Sequence, residues 1–128
     1  MITAANIKSN PTMEHYHQAT EHDVFDFKLI VGVTGIEFDK NKEKKNIEKH
    51  GYSFDDAANA LNNVLFLCTP MVSRDPIICN GEIRQAHMME YRGNIVHIST
   101  TMRKNESVRI ISMRRANQKE RVILESIS

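Results

Sequence analysis

Three stretches rich in apolar and β-branched residues, 83–91, 95–102 and 107–113, follow one another closely. Only residues 92–94 and 103–106 separate them, with Arg92-Gly93-Asn94 and Lys104-Asn105-Glu106 as the turns. A parallel neighbour needs a crossover of roughly a dozen residues or more, so connections this short make adjacent strands antiparallel. Asn80-Gly81 opens the series with a tight-turn dipeptide, both residues tolerating positive φ. The C-terminal half is therefore predicted to be an antiparallel meander.

The residues before it follow a helical period. Asp39 is suited to cap a helix over residues 40–50, and Gly51 to end it in a left-handed conformation. Ile47 is the one strong apolar residue there, which predicts a surface helix held by that single anchor. Ser53 caps a second helix, with Asp56 three residues on. Phe54, Ala57, Ala58 and Leu61 give it one apolar stripe, and Asn62-Asn63 is expected to end it. Residues 69–76 contain two prolines and read as a loop. After the meander, Asn117 and Glu120 have capping-box spacing for a last helix reaching about residue 126, with Val122, Ile123 and Ile127 as its apolar contacts. The expected fold class is α+β: an antiparallel sheet with two N-terminal helices and one C-terminal helix packed on it, all on one face. Residues 1–35 read as an extension, polar to residue 21 with an extra strand at 25–33, and residues 36–128 as the single domain.

A chain of 128 residues with 41% hydrophobic residues can bury one modest core. No run approaches the roughly 20 apolar residues of a membrane span, and no basic-then-apolar leader opens the chain. A cytoplasmic protein with no membrane contact is expected. Cys68 and Cys79 are too few for a disulfide framework, and each is expected as a small buried hydrophobe. His15, His17 and His22 share a polar segment, but nothing nearby completes a tetrahedral ligand set, so neither metal nor cofactor is expected.

Net charge is +1, but its distribution is uneven. Residues 1–39 carry two Lys/Arg against six Asp/Glu, a balance of −4, whereas residues 84–121 carry nine against three, a balance of +6. Such a basic segment can collect a polyanion. The acidic N-terminal segment either lies over that basic surface or supplies the extra strand with a loose tail. Arg84, Arg103, Arg109, Arg114 and Arg115 lie on the strands or just beyond them. Alternation puts Arg109 on the face opposite Val108 and Ile110, with Ile111 and Met113 beside it. An arginine so placed needs either a helix carboxylate such as Glu120 or an anionic ligand. His50 ends the first helix next to Lys49, with Asn46 on the same helical face. Imidazole there suits either proton transfer or compensation of the helix dipole.

Two stretches carry a family resemblance. Residues 38–57 contain Lys49-His50-Gly51 and then Ser53-Phe54-Asp55-Asp56-Ala57. Residues 109–121 contain Arg109-Ile110-Ile111-Ser112-Met113-Arg114-Arg115-Ala116. In order and spacing they resemble the two ends of the BrnT family. Thr101-Met102-Arg103 and Glu82-Ile83-Arg84 stand near its T-E-R and E-E-R positions, and the resemblance runs over about residues 36–125. The sequence departs from the family at the tryptophan of the opening strand, at Met102 in place of an acid, and in the residues before Ile36.

The resemblance implies a RelE-like fold and a metal-independent endoribonuclease toxin of a type II toxin–antitoxin system. It implies Lys49, His50, Arg84 and Arg103 as catalytic residues, His50 or Lys49 moving protons and Arg84 with Arg103 holding the scissile phosphate. Arg109, Arg114, Arg115 and Thr101 would bind the RNA substrate. Implied partners are a ribbon-helix-helix antitoxin, BrnA-like, in a heterotetramer, with operator DNA bound only through that antitoxin. The competing expectation is a non-catalytic module of the same fold that binds RNA or a partner protein.

Overall fold

In the computed structural model, which describes residues 15–18, 36–66, 69–102 and 108–127, the chain forms seven strands and three helices among those residues. They run β1 (Tyr16–Gln18), β2 (Ile36–Glu37), α1 (Lys40–His50), α2 (Phe54–Phe66), β3 (Met71–Arg74) and β4 (Ile77–Cys79). Then follow β5 (Glu82–Tyr91), β6 (Asn94–Met102), β7 (Val108–Arg115) and α3 (Gln118–Ile127). The sheet order is β1-β3-β5-β6-β7-β2, with β4 also on β5. Every pairing is antiparallel except β2 with β7.

Local chemistry accounts for the element ends. The Asp39 carboxylate accepts from the Asn41 and Lys42 amides, and Gly51 closes α1 at φ 80°. Ser53 and Asp56 exchange side chain-to-backbone bonds at the start of α2, and Asn117 and Glu120 do the same before α3. Asn80 and Gly81, at φ 52° and 79°, make the β4–β5 turn, and Arg92 and Gly93, at 50° and 84°, the β5–β6 turn. Positive φ at both central positions matches the right-handed twist of the flanking strands.

Several expectations needed correction. α2 continues through Asn62 and Asn63 to Phe66 because its apolar face remains covered there, with Val64 against the core. Ala60, and not Ala58, joins Ala57 as a fully buried alanine of the stripe. The segment read as a loop contains β3, which becomes a strand by pairing Met71, Val72 and Ser73 with Met89, Met88 and His87. Ile47 does not anchor α1, since it is 46% exposed. Asn46 does: its Nδ2 donates to the Tyr52 and Met113 carbonyls at 2.8 and 2.9 Å, and its Oδ1 accepts from the Met113 amide at 3.1 Å. The β2 strand pairs with β7 only at Val108 and Arg109, and the Asn46 amide takes the place of a strand farther along that edge. In α3, Val122 is exposed and Leu124 is buried in its place. Cys79 is half-exposed and free; Cys68 and the expected strand at 25–33 lie outside the described residues.

The helices do not share one face. α1 and α2 cover the face carrying Met71, Met89, Tyr91, Val96, Ile98, Val108, Ile110 and Met113. α3 packs on the other, where Ile123 and Leu124 meet Tyr16, Val72 and Met88. Met88 and Met89 are consecutive, so their clusters lie on opposite sides of the pleat. The apolar residues of α3 find partners only there, and the sheet is sandwiched.

Candidate functional site

The α3 face of the sheet is only partly covered. Ala86, Ser99 and Ser112 lie in register across β5, β6 and β7, and they form a floor of small side chains. On one side of that row stand Arg84, Thr101 and Arg109, again in register. On the other stand Met88, His97 and Arg114. Arg74 lies one step past the Ser73–His87 pairing of β3 with β5, beside Ala86, and Tyr16 pairs with it from β1. Large residues around small ones leave a hollow, a cleft of about 420 Å³ lined by Tyr16, Arg74, Arg84, His97, Ser99 and Arg114 among others.

Ile111 is an extra residue on β7, because Thr100 pairs with Ile110 while Ser99 pairs with Ser112. Such a bulge shifts the alternation by one. Met113 therefore enters the core opposite Arg109 instead of sharing its face, and Arg114 is turned into the cleft. Without the bulge, Arg109 and Arg114 would leave the sheet on opposite sides.

The cleft holds a polar network. Arg114 grips the Glu120 carboxylate with two bonds of 2.7 and 2.9 Å. His97 Nε2 lies 3.5 Å from Oε2 of that carboxylate. Glu120 thus pairs with Arg114 and not with Arg109, whose Nε lies 3.7 Å from Glu37. The Arg84 Nε is buried with no hydrogen-bond partner among the described residues, and Arg84 Nη2 lies 3.9 Å from Glu82. A guanidinium left this loosely satisfied is suited to an incoming anion. Despite its burial, Glu120 is held ionised by its bonds to Arg114 and the Asn117 amide.

The predicted residues do not all converge. Arg84, Arg109, Arg114 and Thr101 lie on the cleft face. Thr101 is buried and its hydroxyl donates to the Ile83 carbonyl at 2.9 Å. Arg115 is exposed and, by alternation, projects to the opposite face. Lys49 and His50 end α1 beyond the β7 edge, Lys49 exposed and His50 half-buried. Burial, then Lys49 and Arg114, lower the His50 pKa, so this end of α1 is within electrostatic reach of the cleft. Arg103 lies outside the described residues. Sequence reasoning misses Tyr16, Arg74, His97, Ser99 and Glu120 as cleft residues. The polar alternation His97, Ser99, Thr101 against Val96 and Ile98 is a signal for two of them; the loop reading of residues 69–76 hides Arg74.

His97 has a measurable consequence. Burial first, then Arg114, pushes its pKa from 6.5 down to about 4, with Glu120 opposing. Burial also lowers the His87 pKa; its Nδ1 is 2.6 Å from the Ser73 hydroxyl. An unfolded chain takes up these protons near pH 6.5, whereas the fold resists them. Stability is therefore full above about pH 6.5 and falls as pH drops toward 4, with His97 accounting for on the order of 2–3 kcal/mol. Urea unfolding at pH 7.5 and 4.5 should show this loss, and His97→Gln should flatten it. An equal slope in that variant would remove His97 from the account.

Among the described residues no group of His, Cys, Asp and Glu is placed to hold a metal ion, and no helix is long and apolar enough to cross a membrane. Comparison with known proteins gives one family match, described as "Ribonuclease toxin, BrnT, of type II toxin-antitoxin system", over residues 38–120. A crystal structure of the Brucella abortus ribonuclease toxin, BrnT, is similar at 28% identity and a TM-score of 0.47, covering 66% of this chain and 99% of that one. No curated protein matches the chain.

Proposed function

The chain belongs to the BrnT family of ribonuclease toxins of type II toxin–antitoxin systems, and from that premise we propose that it is an endoribonuclease that cuts RNA without a metal. The observation that carries this reading is the small-residue floor of Ala86, Ser99 and Ser112 with Arg84, Arg109, Arg114 and Arg74 around it. RNA transesterification needs the 2′-hydroxyl to lose a proton as its oxygen attacks the phosphorus. The phosphorane charge must be stabilised, and the 5′-oxygen must gain a proton as it leaves. A phosphate on the floor would meet the loosely satisfied Arg84, and the family resemblance gives Arg103 the same role. Arg109 and Arg114 would orient the strand. Arg115, on the other side, would serve only RNA that wraps the β7 edge.

Proton transfer by Lys49 or His50 requires the RNA to pass from the cleft over Arg114 to the end of α1. The lowered His50 pKa keeps its imidazole neutral at neutral pH, the state that accepts a proton. Cleavage would arrest translation and growth in the cytoplasm. A cognate antitoxin of the ribbon-helix-helix type, BrnA-like, would neutralise the toxin in a heterotetramer and carry operator DNA binding.

Incubating the protein with RNA in EDTA tests the activity. Cleavage that survives chelation and leaves 2′,3′-cyclic phosphate ends is expected. Binding without cleavage would favour the non-catalytic module. Arg84→Ala should lower the cleavage rate about ten- to a hundredfold, as loss of one charge-assisted contact does. Growth inhibition unchanged when Lys49, His50 and Arg103 are substituted together would sink their assignment.

A further inference from the structure

The family match begins at residue 38, yet part of the cleft wall comes from before it. The short β1 pairs with β3 through Tyr16–Arg74, His17–Ser73 and Gln18–Val72. Its neighbours fix it further: the Asp75 amide donates to the His15 carbonyl at 2.7 Å, and Gln18 Nε2 donates to the Ile127 carbonyl at the end of α3 at 3.2 Å. The strand thus ties the sheet edge to α3, and those two elements are the sides of the cleft.

Tyr16 occupies the junction. Its ring is buried with Val72, Met88, Ile123 and Leu124 between sheet and helix, and its residue is only 7% exposed. The same residue lines the cleft, at the end of the row that continues through Arg74 and Ala86. A tyrosine held by its ring presents its hydroxyl at a fixed place, with little freedom to lose on binding. Three charged groups act on that hydroxyl: Arg74, Glu120 and Arg114. Burial raises the phenol pKa above its usual 10, more than the two arginines lower it, so the group is an O–H donor at neutral pH.

We propose that Tyr16 is a substrate-contacting residue added to the site by the N-terminal extension, its hydroxyl donating a hydrogen bond to a phosphate oxygen of RNA seated on the Ala86–Ser99–Ser112 floor. The proposal rests on the endoribonuclease reading. Arg74, next to Tyr16 in the row, and Arg114, across the floor on β7, supply positive charge, and Tyr16 supplies a neutral, directional donor at the end of the row. A donor aimed at an oxygen that gains charge in the phosphorane acts more on the transition state than on the bound substrate. Its removal therefore falls on kcat more than on KM.

The test compares wild type, Tyr16→Phe and Arg84→Ala on a mixed-sequence single-stranded oligoribonucleotide. Cleavage is followed on the native oligomer, and binding on its 2′-O-methyl form, which lacks the attacking hydroxyl. Phenylalanine keeps the ring and its packing, so the Tm of Tyr16→Phe should stay within a few degrees of wild type. Its kcat should fall about tenfold, the loss expected for one hydrogen bond to a charged group, with KM changed less than about threefold. Wild-type kcat in Tyr16→Phe beside a slow Arg84→Ala overturns the proposal and leaves the endoribonuclease reading standing. A loss confined to KM also overturns it, because the Tyr16 hydroxyl would then hold RNA somewhere other than at the phosphate oxygen that gains charge in the phosphorane. A wild-type protein that neither cleaves nor binds the oligomer overturns both.

Discussion

Asn46→Ala is expected to lower stability by about 3–5 kcal/mol, since unmade buried hydrogen bonds cost about 1–3 kcal/mol for each group left without a partner. The alanine would leave the Met113 amide, the Met113 carbonyl and the Tyr52 carbonyl without the amide that now satisfies them. Asn46 is only 6% exposed, so water is poorly placed to substitute. For a domain near this size each kcal/mol shifts Tm by roughly 4–8 °C, giving a fall of more than about 10 °C. Asn46→Asp keeps the acceptor for Met113 but turns a carboxylate toward two carbonyls, so it should not rescue. The check is thermal and urea unfolding of both variants. A Tm for Asn46→Ala within about 3 °C of wild type would contradict the claim that this side chain fastens α1 to the β7 edge. By contrast, Ile47→Ala should cost less than about 1 kcal/mol, although hydrophobicity alone makes it the anchor.

Removing the Glu120 carboxylate should be nearly as damaging. Glu120 accepts both Arg114 bonds and the Asn117 amide, and it faces His97. Breaking a buried ion pair by deleting one partner costs about 3–5 kcal/mol. The Arg114 side chain is 32% exposed, and some of its charge is recovered by solvent, so about 3 kcal/mol is expected for Glu120→Ala. Glu120→Gln retains a carbonyl oxygen for the helix cap or for one guanidinium bond, and should lose about half as much. Equal losses in the two variants would mean that charge carries the whole effect. A loss below about 1 kcal/mol in Glu120→Ala would show that this network does not fasten α3 to the sheet.

Both effects come from polar side chains in places where a hydrophobic pattern directs attention elsewhere. On α1 the apolar pattern points to Ile47, yet the helix is held by an amide that imitates a strand. On the cleft face the arginines are legible in the sequence, but their directions are not. Arg109 and Arg114 are five residues apart, and an unbroken strand would send them to opposite faces. The Ile111 bulge brings them to one face. In the same way, Arg74 joins Arg84 only because β3 finds a partner in β5.

Whatever depends on neighbours a few residues away can be read directly from the chain. The Asp39, Ser53 and Asn117 caps, the left-handed Gly51, and the turns at Asn80-Gly81 and Arg92-Gly93 all follow from local backbone chemistry. The antiparallel meander follows from connections too short for any alternative. The paired motifs around Lys49-His50-Gly51 and Arg114-Arg115 also carry the family resemblance. Contacts across the fold, by contrast, settle which face α3 covers, which carboxylate each arginine meets, and which strand completes the cleft wall. Those outcomes depend on strand register and on contacts between segments far apart in the chain, as between Tyr16 and Leu124 or Asn46 and Met113. No local pattern encodes them, because a one-residue shift in register exchanges the two faces of a strand.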